Sequence, residues 1–425
     1  MNIGPGCVFQ TTHMDFYLQR IKNIYHFICA LIAMTWYGNP SKKINVIGVT
    51  GTDGKTTTTA LIYHILKSSG KRVSMISTVA AVVGNQTYDT GFHVTTPSAF
   101  SVQKYLKIAV DQSNEYFVLE TTSHSLDQYR VYGVDFKIGL ITNITHEHLL
   151  YHKTYEHYAQ AKTKLINWAK KGIINRDDGS YEYIVKYTHD KRKLLTYGLL
   201  NKSDYQLDIQ AKIGMNLAHF NRYNYLAAYA VCHELGIEDM PIFEAMKTYK
   251  LPPGRMEVIF NQQFMIINDF AHTPNAIHEA LLTLKEGYPH RRIIHIFGAA
   301  AFRDDTKRPM MGRESATFAN MSIITEEDYR TEDPQKIARE IGAGFMDQHF
   351  KLVEPVIFGT EEKTFTVIND RAQAIEKALD IVKPGDIIIL TGKGHEQSLC
   401  RGTTEYPWND TRGVQDALQK RNITS

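Results

Sequence analysis

The first half of the chain alternates short apolar runs with longer amphipathic stretches. The apolar runs are rich in β-branched residues, as buried strands are, and the stretches between them have helical spacing. We predict strands at Ile44–Val49, Val73–Thr78, Tyr116–Glu120 and Lys137–Thr142, and helices at Thr57–Lys67, Ala99–Gln112 and Tyr155–Trp168. Strands separated by helices of this length indicate an α/β fold, with helices on both faces of a parallel sheet.

A Pro-Pro-Gly break at residues 252–254 divides this pattern. Beyond it the alternation restarts, with predicted strands at Phe264–Asn268, Arg292–Phe297, Met321–Thr325 and Asp386–Thr391. At 425 residues, the chain is also long enough to form more than one hydrophobic core. The sequence therefore predicts a short helical segment at 1–43, a central α/β domain at 44–252 and a C-terminal Rossmann-like α/β domain at 253–425.

The N-terminal stretch Ile24–Tyr37 is mostly apolar and follows Arg20 and Lys22. It is shorter than the roughly 20 apolar residues that a membrane span needs. The residues around Trp36 also make a poor signal-peptide cleavage site, because such a site requires small side chains. We expect a helix packed on the body of the protein, and the alternative is peripheral membrane contact through residues 21–38.

The composition indicates the class of protein and the cellular compartment. The chain is 43% hydrophobic and 22% charged, which is typical of a folded soluble protein. A formal net charge of +3 without a long basic run argues against a nucleic-acid partner. The four cysteines are scattered and fit neither a disulfide framework nor a metal site. We therefore expect a reduced, cytoplasmic monomer, located at the inner face of the membrane if residues 21–38 bind lipid.

The loop after the first predicted strand is the most specific signal for function. Residues 46–57 read VIGVTGTDGKTT, so the strand enters a glycine-bearing turn that ends in Lys55 and Thr56. Such a turn directs backbone N–H groups and a helix N-terminus at phosphate, with a lysine to neutralise it and a hydroxyl for Mg²⁺. The general P-loop has a glycine five residues before Gly54, where this chain has Val49. The sequence predicts a P-loop ATPase-type sheet that binds ATP.

Two further strand ends carry groups that suit phosphate or metal chemistry. Glu120 ends an apolar strand, and His146, Glu147 and His148 follow the next strand, ahead of Lys162 on a predicted helix. Ligands collect at the carboxyl ends of parallel strands, so Glu120 suits a Mg²⁺ ion near the P-loop. Taken alone, Glu120 could equally be a solvated strand end, and the histidines could be surface residues.

Read together, these motifs resemble those of the Mur ligases and the related folylpolyglutamate synthases. The resemblance is closest to the Mur ligases that add the third residue of the peptidoglycan stem peptide. It is carried by residues 49–58, 94–97, 120–124, 142–149, 158–162, 175–178, 220–224, 253–257, 269–274, 307–309 and 392–396. It implies that ATP phosphorylates the carboxylate of a UDP-N-acetylmuramoyl-dipeptide, and that an incoming amino acid attacks the acyl phosphate.

The resemblance also implies a role for each residue that matches a family motif. ATP and Mg²⁺ are the implied cofactors. The implied nucleotide contacts are Gly51, Thr52, Asp53, Gly54, Lys55, Thr56 and Thr57, with Asn221 at adenine and Arg255 and Asp269 at the γ-phosphate and ribose. The implied catalytic and metal-binding set is Lys55, Thr56, Glu120, His148 and Lys162. Lys162 matches a lysine that the family carries as a carbamate.

Two groups of substrate contacts follow from the same matches. The implied contacts of the muramoyl-dipeptide are Thr95, Thr96, Ser123 and Arg130, and those of the free amino acid are Arg330, Gly392 and Glu396. The family's selector for diaminopimelate is Asp-Asn-Pro-Arg, where residues 327–330 read Glu-Asp-Tyr-Arg. Arg330 would hold a second carboxylate, as diaminopimelate requires, whereas the charge of Asp328 favours the amine of lysine. We expect diaminopimelate.

Several positions depart from the family. A whole domain that binds the uridine nucleotide precedes the family's P-loop, and the short apolar segment stands there in this sequence. We expect that domain to be reduced or absent, which makes a lipid-linked muramoyl acceptor a hypothesis. Glu147 and Leu150 replace aspartates, and Asp53 replaces a common asparagine. The alternatives are another Mur-type or folylpolyglutamate-type amide ligase, and a non-catalytic protein that binds nucleotide and a cell-wall precursor.

Overall fold

The computed structural model describes residues 13–84, 86–88, 95–145, 147, 149–302 and 304–423. The helices are α1 (His13–Trp36), α2 (Lys55–Ser68), α3 (Ala99–Asp111), α4 (Ser123–Asp127), α5 (Leu149–His152), α6 (Tyr155–Trp168), α7 (Tyr181–Tyr187), α8 (Ile209–Ile213), α9 (His219–Glu234), α10 (Asp239–Thr248), α11 (Pro274–Gly287), α12 (Lys307–Phe318), α13 (Pro334–Asp347), α14 (Arg371–Ile381) and α15 (Asp410–Lys420). Short 3₁₀ helices span Pro40–Lys43 and Lys191–Lys193.

The strands build two large sheets and one hairpin. They are β1 (Asn45–Thr50), β2 (Val73–Ile76), β3 (Ala81–Val83), β4 (Gln86–Tyr88), β5 (Tyr116–Glu120), β6 (Phe136–Ile141), β7 (Lys171–Asn175), β8 (Leu194–Tyr197), β9 (Glu257–Asn261), β10 (Met265–Asn268), β11 (Ile293–Phe297), β12 (Met321–Ile324), β13 (Lys351–Leu352), β14 (Thr364–Val367), β15 (Ile387–Leu390), β16 (Ser398–Arg401) and β17 (Thr404–Pro407). The predicted α/β class is confirmed, and the predicted strands are present with ends that differ by at most two residues.

The first sheet has eight strands in the order β4-β3-β2-β5-β1-β6-β7-β8. Strand β1 pairs in parallel with β5 on one side and β6 on the other. Its side chains alternate between two cores: Ile47 and Val49 join α2 and α9, whereas Val46 joins the core that contains α3. Both faces are covered, which explains why β1 is buried almost throughout.

The second sheet has seven strands in the order β13-β14-β12-β11-β15-β10-β9. All of its pairings are parallel except that of β9 with β10. One face packs against α11, α12 and α13, and the other against α14 and α15. The carboxyl ends of the parallel strands are again available for a ligand. The hairpin of β16 and β17 follows as a separate two-stranded sheet.

The part of the chain built around the eight-stranded sheet is called the first unit, and the part built around the seven-stranded sheet is called the second unit. Helix α1 packs on the first unit by one face only. Ala30 and Ala33 are buried against Ala99, and the ring of Phe27 lies 4.7 Å from that of Tyr132. The predicted packing on the body of the protein is therefore confirmed for this face. The opposite face leaves five large side chains exposed: Ile24, Tyr25, Ile28, Ile32 and Trp36. None of the helices in the described residues has the length and apolarity that crossing a bilayer requires.

Helices α12 and α13 approach each other through glycine, and this contact generates a stability prediction. A Cβ atom on Gly344 would lie 1.9 Å from the backbone oxygen of Pro309. Because a backbone oxygen cannot swing aside as a side chain can, Gly344→Ala should lower the free energy of unfolding by about 3 kcal/mol. Urea unfolding followed by circular dichroism measures this change.

Gly287 at the end of α11 provides the matched control, since a Cβ there would meet no atom within 4 Å. Gly287→Ala should be neutral or stabilise the helix by up to about 1 kcal/mol. Equal unfolding midpoints for the two variants would contradict the close approach of α12 and α13.

Candidate active site

The P-loop connects β1 to α2 and contains two glycines that the packing requires. Gly54 has φ +79°, and a Cβ atom there would lie 2.3 Å from Oδ1 of Asn224. A Cβ on Gly51 would lie 1.8 Å from Oγ1 of Thr142. Only glycine permits both the backbone conformation and these approaches. The predicted strand–loop–helix is confirmed, and α2 begins at Lys55.

Side chains from the segment after β6 hold the P-loop in shape. Oδ1 of Asn143 accepts hydrogen bonds from the backbone N–H groups of Thr52 (3.2 Å) and Asp53 (2.8 Å). Oγ1 of Thr142 donates to the carbonyl oxygen of Asp53 at 2.7 Å. These side chains therefore provide hydrogen-bond partners for the backbone groups in the middle of the loop. The first N–H groups of α2 have no partner within the helix, so they are the donors a phosphate would meet.

Glu120 lies at the end of β5, fully buried beside the P-loop. Its Oε1 accepts hydrogen bonds from Oγ1 of Thr56 (3.0 Å) and Oγ1 of Thr78 (2.9 Å), and its Oε2 accepts one from the backbone N–H of Thr78 (2.9 Å). The carboxylate is thus fixed in one orientation, with the Thr56 hydroxyl next to it. Sequence reasoning missed Thr78, although it follows the end of β2, at the same sheet edge as Glu120.

Lys162 of α6 lies behind the loop. Its Nζ donates to the carbonyl oxygen of Gly51 at 2.5 Å and lies 4.6 Å from the centre of the Tyr158 ring. Burial, together with the positive charge of Lys55, lowers the pKa of Lys162 well below its usual value. Lys55 itself donates to the carbonyl oxygen of Thr52 at 2.7 Å. The buried environment therefore favours a neutral amine at Lys162.

A cavity of about 750 Å³ lies where the strand ends of the two sheets meet. It is lined by residues that follow β1, β5 and β6 and by residues that follow β10, β11, β12 and β15. Most predicted site residues line it: Thr52, Asp53, Gly54, Lys55, Thr56, Thr57, Thr95, Thr96, Glu120, Arg130, Asn221, Arg255, Asp269, Arg330, Gly392 and Glu396. Residues predicted from separate motifs to bind the nucleotide, the acceptor and the donor amino acid therefore line the same cavity.

Of the predicted residues that the structure describes, three are not in that lining. Gly51 and Lys162 form the back of the P-loop, as described above. Ser123 is buried and hydrogen-bonded to Nε2 of His152 at 3.0 Å. His148 lies outside the described residues. In the part of the chain that the structure describes, no three His, Cys, Asp or Glu side chains lie close enough to hold a metal ion.

The end of the cavity that contains the predicted acceptor residues is organised around Thr96. Its hydroxyl donates to the carbonyl oxygen of Glu120 at 3.1 Å and accepts from the backbone N–H of Thr122 at 3.0 Å. Arg130 donates to the carbonyl oxygen of Thr96 at 3.3 Å. Thr95 accepts from Thr78 at 3.0 Å. These bonds join Thr96 to the backbone of Glu120, and they join Thr95, through Thr78, to the Glu120 carboxylate.

Charged side chains connect the two units across the cavity. Oδ2 of Asp53 accepts from Nδ2 of Asn275 at 3.1 Å, and burial together with the charge of Glu147 raises the pKa of Asp53. Oε1 of Glu147 lies 3.4 Å from Nε2 of His272 and 3.8 Å from Nζ of Lys307. Glu147 was noted in the sequence as part of the group that follows β6 and as a departure from the family, and its position between the units was not predicted.

Arg255 reaches from the second unit to the P-loop. Its guanidinium donates to Oγ1 of Thr56 at 3.5 Å and lies 4.6 Å from the centre of the Phe270 ring. Asp269 stands nearby and accepts from the backbone N–H groups of Met256 and Ala271, both at 2.8 Å. Burial lowers the pKa of Arg255 and raises that of Asp269, and their mutual attraction opposes both shifts.

The far end of the cavity contains residues 327–330. Oδ1 of Asp328 accepts from Nζ of Lys393 at 2.9 Å and from the backbone N–H of Cys400 at 3.0 Å. Lys393 also pairs with Glu396. The negative charge of Asp328 is therefore compensated, which removes the sequence argument that it favours the amine of lysine. In the described residues, no carboxylate pairs with the guanidinium of Arg330, which lines the cavity.

Comparison with known proteins agrees with this geometry. Residues 49–232 match the Mur ligase middle domain, and residues 254–394 match the Mur ligase glutamate ligase domain. A UDP-N-acetylmuramoyl-L-alanyl-D-glutamate–2,6-diaminopimelate ligase of Clostridium botulinum is 35% identical over 86% of this chain and 76% of its own length. The enzyme of the same name from Aquifex aeolicus is 36% identical over 91% of this chain and 80% of its own length.

Solved structures extend the agreement to the fold. A ligase structure of the same description superposes with a TM-score of 0.59 and 28% identity over 95% of this chain and 84% of its own. A Mycobacterium tuberculosis folylpolyglutamate synthase complexed with ADP and AMPPCP has a TM-score of 0.64 at 14% identity, covering 87% of this chain and 96% of its own. That second likeness concerns the fold alone. From the matched domains and the relatives above 30% identity, this chain belongs to the Mur ligase family of ATP-dependent amide ligases.

Proposed function

We propose that this chain adds diaminopimelate, in preference to lysine, to UDP-N-acetylmuramoyl-L-alanyl-D-glutamate in peptidoglycan biosynthesis. The observation that carries the proposal is one cavity that contains the P-loop lysine Lys55, the Thr56–Glu120 pair, Arg255 from the second unit and the guanidinium of Arg330, which pairs with no carboxylate of the described residues. The Clostridium and Aquifex relatives are named for this reaction.

The proposed reaction has two steps. The acceptor carboxylate attacks the γ-phosphorus of ATP, and the bond to the bridging oxygen breaks, releasing ADP and leaving an acyl phosphate. The donor amine then attacks the acyl carbon and loses a proton, while inorganic phosphate leaves. Lys55 and Arg255 would spread the negative charge on the transferring group from opposite sides. Contacts between the two units would align the reactants.

The nucleotide and acceptor assignments follow the cavity. Asn221 and Asp269 would bind adenine and ribose, while the P-loop residues 51–57 bind the phosphates. Thr95, Thr96 and Arg130 would hold the acceptor, since hydrogen bonds already join them to the Glu120 segment. For Ser123 we propose an indirect contribution, because its buried hydroxyl bonds to His152.

The oxygen donors beside the P-loop fit Mg²⁺. Thr56 Oγ1 and Glu120 Oε1 are 3.0 Å apart, and both are hard oxygen ligands of the type that Mg²⁺ prefers. We propose that Thr56 and Glu120 hold Mg²⁺ together with His148 and, as a carbamate, Lys162. When bound, the ion neutralises charge on the phosphate oxygens.

Arg330 and its surroundings support diaminopimelate as the donor. A guanidinium with no carboxylate partner in the described residues suits the second carboxylate of that amino acid, held bidentately. Gly392 and Glu396 lie in the same lining and would bind the amino end of the donor. Lysine has no second carboxylate and would leave Arg330 without a partner.

The setting of the enzyme is part of the proposal. We propose a cytoplasmic monomer divided at 1–43, 44–252 and 253–425, with peripheral membrane contact at the inner face through residues 21–38. Its acceptor would be linked to UDP, and a lipid-linked muramoyl acceptor is the competing substrate to include in assays.

The first functional prediction is amino-acid-dependent phosphate release. With ATP, Mg²⁺ and UDP-N-acetylmuramoyl-L-alanyl-D-glutamate, diaminopimelate should give faster release than lysine. Arg330→Ala should raise the KM for diaminopimelate by about 10-fold to 100-fold, because a charge-assisted hydrogen-bond pair to a carboxylate is lost. A coupled phosphate assay measures both effects.

Arg339→Ala is the matched control, since Arg339 is exposed on α13 and pairs with Asp333. It should leave the KM for diaminopimelate unchanged. Phosphate release that needs neither acceptor nor amino acid would refute the ligase proposal. ATP binding without any turnover would support the non-catalytic alternative instead.

The second functional prediction concerns the carbamate at Lys162. Lys162→Ala should reduce turnover at least about 100-fold, because a buried ligand position is lost. Acetate or propionate should restore part of the activity by supplying a carboxylate in the space left behind. Lys164→Ala, on the same helix, is the control that should neither lose activity to this extent nor respond to the acids. Full activity of Lys162→Ala would refute the carbamate.

A further inference from the structure

Helix α1 presents a continuous apolar stripe to solvent. Ile24, Ile28, Ile32 and Trp36 recur every four residues, which places them on one face of a helix. All four are exposed, Trp36 to 77%, and Tyr25 lies exposed beside them. Isolated apolar side chains on a surface are ordinary, but a contiguous row of this kind marks an interaction site.

The opposite face of α1 fixes the stripe in its outward orientation. Gln19 donates to the Tyr151 hydroxyl at 3.0 Å, and Asn23 donates to Oδ2 of Asp127 at 3.1 Å. Ala30 and Ala33 are buried in the contact with α3. Because these contacts occupy the other side of the helix, the stripe cannot turn inward while they persist.

The charge around the stripe indicates what it binds. Residues 16–52 contain no aspartate or glutamate, whereas Lys22, Lys42 and Lys43 in that range are exposed and Arg20 adds a further positive charge. An apolar helix face with tryptophan at its end and basic residues around it is the pattern of an interfacial helix on anionic lipid.

A second copy of the chain fits the stripe less well. Stable protein interfaces use roughly 20–30 residues on each side. The stripe is one helix wide and offers five large apolar side chains. A planar lipid surface, in contrast, can accept a single helix face without a complementary partner surface.

We propose that the stripe of α1, defined by Ile24, Tyr25, Ile28, Ile32 and Trp36, inserts into the interface of an anionic bilayer. The contacts of α1 with Asp127 and Tyr151 place it beside the segment that ends in Arg130 at the cavity. Burial and the charge of Arg130 also lower the pKa of His26 on α1. The bilayer would thus adjoin the acceptor end of the cavity. The proposal specifies the membrane contact proposed above, and it does not depend on the ligase reaction.

Vesicle co-sedimentation of the full chain tests the proposal. The protein should bind vesicles of phosphatidylcholine with phosphatidylglycerol more tightly than vesicles of phosphatidylcholine alone, and high salt should weaken that binding. Ile28→Ser combined with Ile32→Ser should reduce the affinity about 10-fold or more, because insertion scales with apolar area. Lys42→Gln combined with Lys43→Gln should reduce the preference for anionic vesicles.

Leu352→Ser combined with Val356→Ser is the matched control, since these residues are exposed by 60% and 85% in and just after β13 of the second unit. This variant should bind vesicles like the unchanged protein. Brominated lipid should quench the fluorescence of Trp36, and the quenching should disappear in Trp36→Phe.

Three outcomes would overturn the proposal: no binding to anionic vesicles, equal loss in the stripe and control variants, or a dimer in sedimentation that only the stripe variant disrupts. The dimer would identify a second copy as the occupant. Phosphate release with a soluble acceptor should be the same for the stripe variant and the unchanged protein. Vesicle binding is measured without substrates, so a failure of the ligase proposal leaves this test intact.

Discussion

Burial of opposite charges between the two units is the constraint on which the site depends. Asp53 and Glu147 come from the first unit, and Arg255 and Lys307 come from the second. Glu147 and Lys307 are buried, and Asp53 and Arg255 are partly buried. A buried charge is costly unless another charge or several hydrogen bonds compensate for it. Part of that compensation crosses between the units, because Glu147 pairs with His272 and Lys307. The contact between the units is therefore also a part of the site.

The same constraint applies to the charged residues that line the cavity beside the P-loop. Asp53, Glu120 and Glu147 place negative charge where the phosphates of ATP would lie, and Lys55 and Arg255 are the nearby cations. Like charges at short range repel strongly in a site shielded from water. The proposed Mg²⁺ would convert this repulsion into attraction, with Thr56 and Glu120 as ligands. The lowered pKa of Lys162 belongs to the same balance, since a neutral amine is the form that can react to give a carbamate.

Much of this arrangement could be predicted because it depends on strand ends. Lys55, Glu120 and the segment at 142–145 each follow a strand whose apolar run is evident in the sequence, and parallel strands bring such ends to one edge. Thr78 was missed because a single threonine after a short strand carries no chemical signal. The motif that predicts Ser123 as a substrate contact does not reveal that its side chain is buried and bonded to His152. The compensation of Asp328 by Lys393 joins residues 65 positions apart, which no local pattern can show.

The proposed recognition of the donor involves a part of the chain that the sequence pattern did not single out. Arg330 has φ +48°, an unfavourable backbone conformation for a residue other than glycine. The hairpin of β16 and β17 holds it there, because the backbone N–H of Arg330 donates to Cys400 and its carbonyl oxygen accepts from Gly402 at 2.7 Å. The backbone N–H of Cys400 also donates to Asp328. The backbone position of Arg330 is thus set by the hairpin as much as by the neighbouring selector residues, so the proposed recognition of the donor would depend on both.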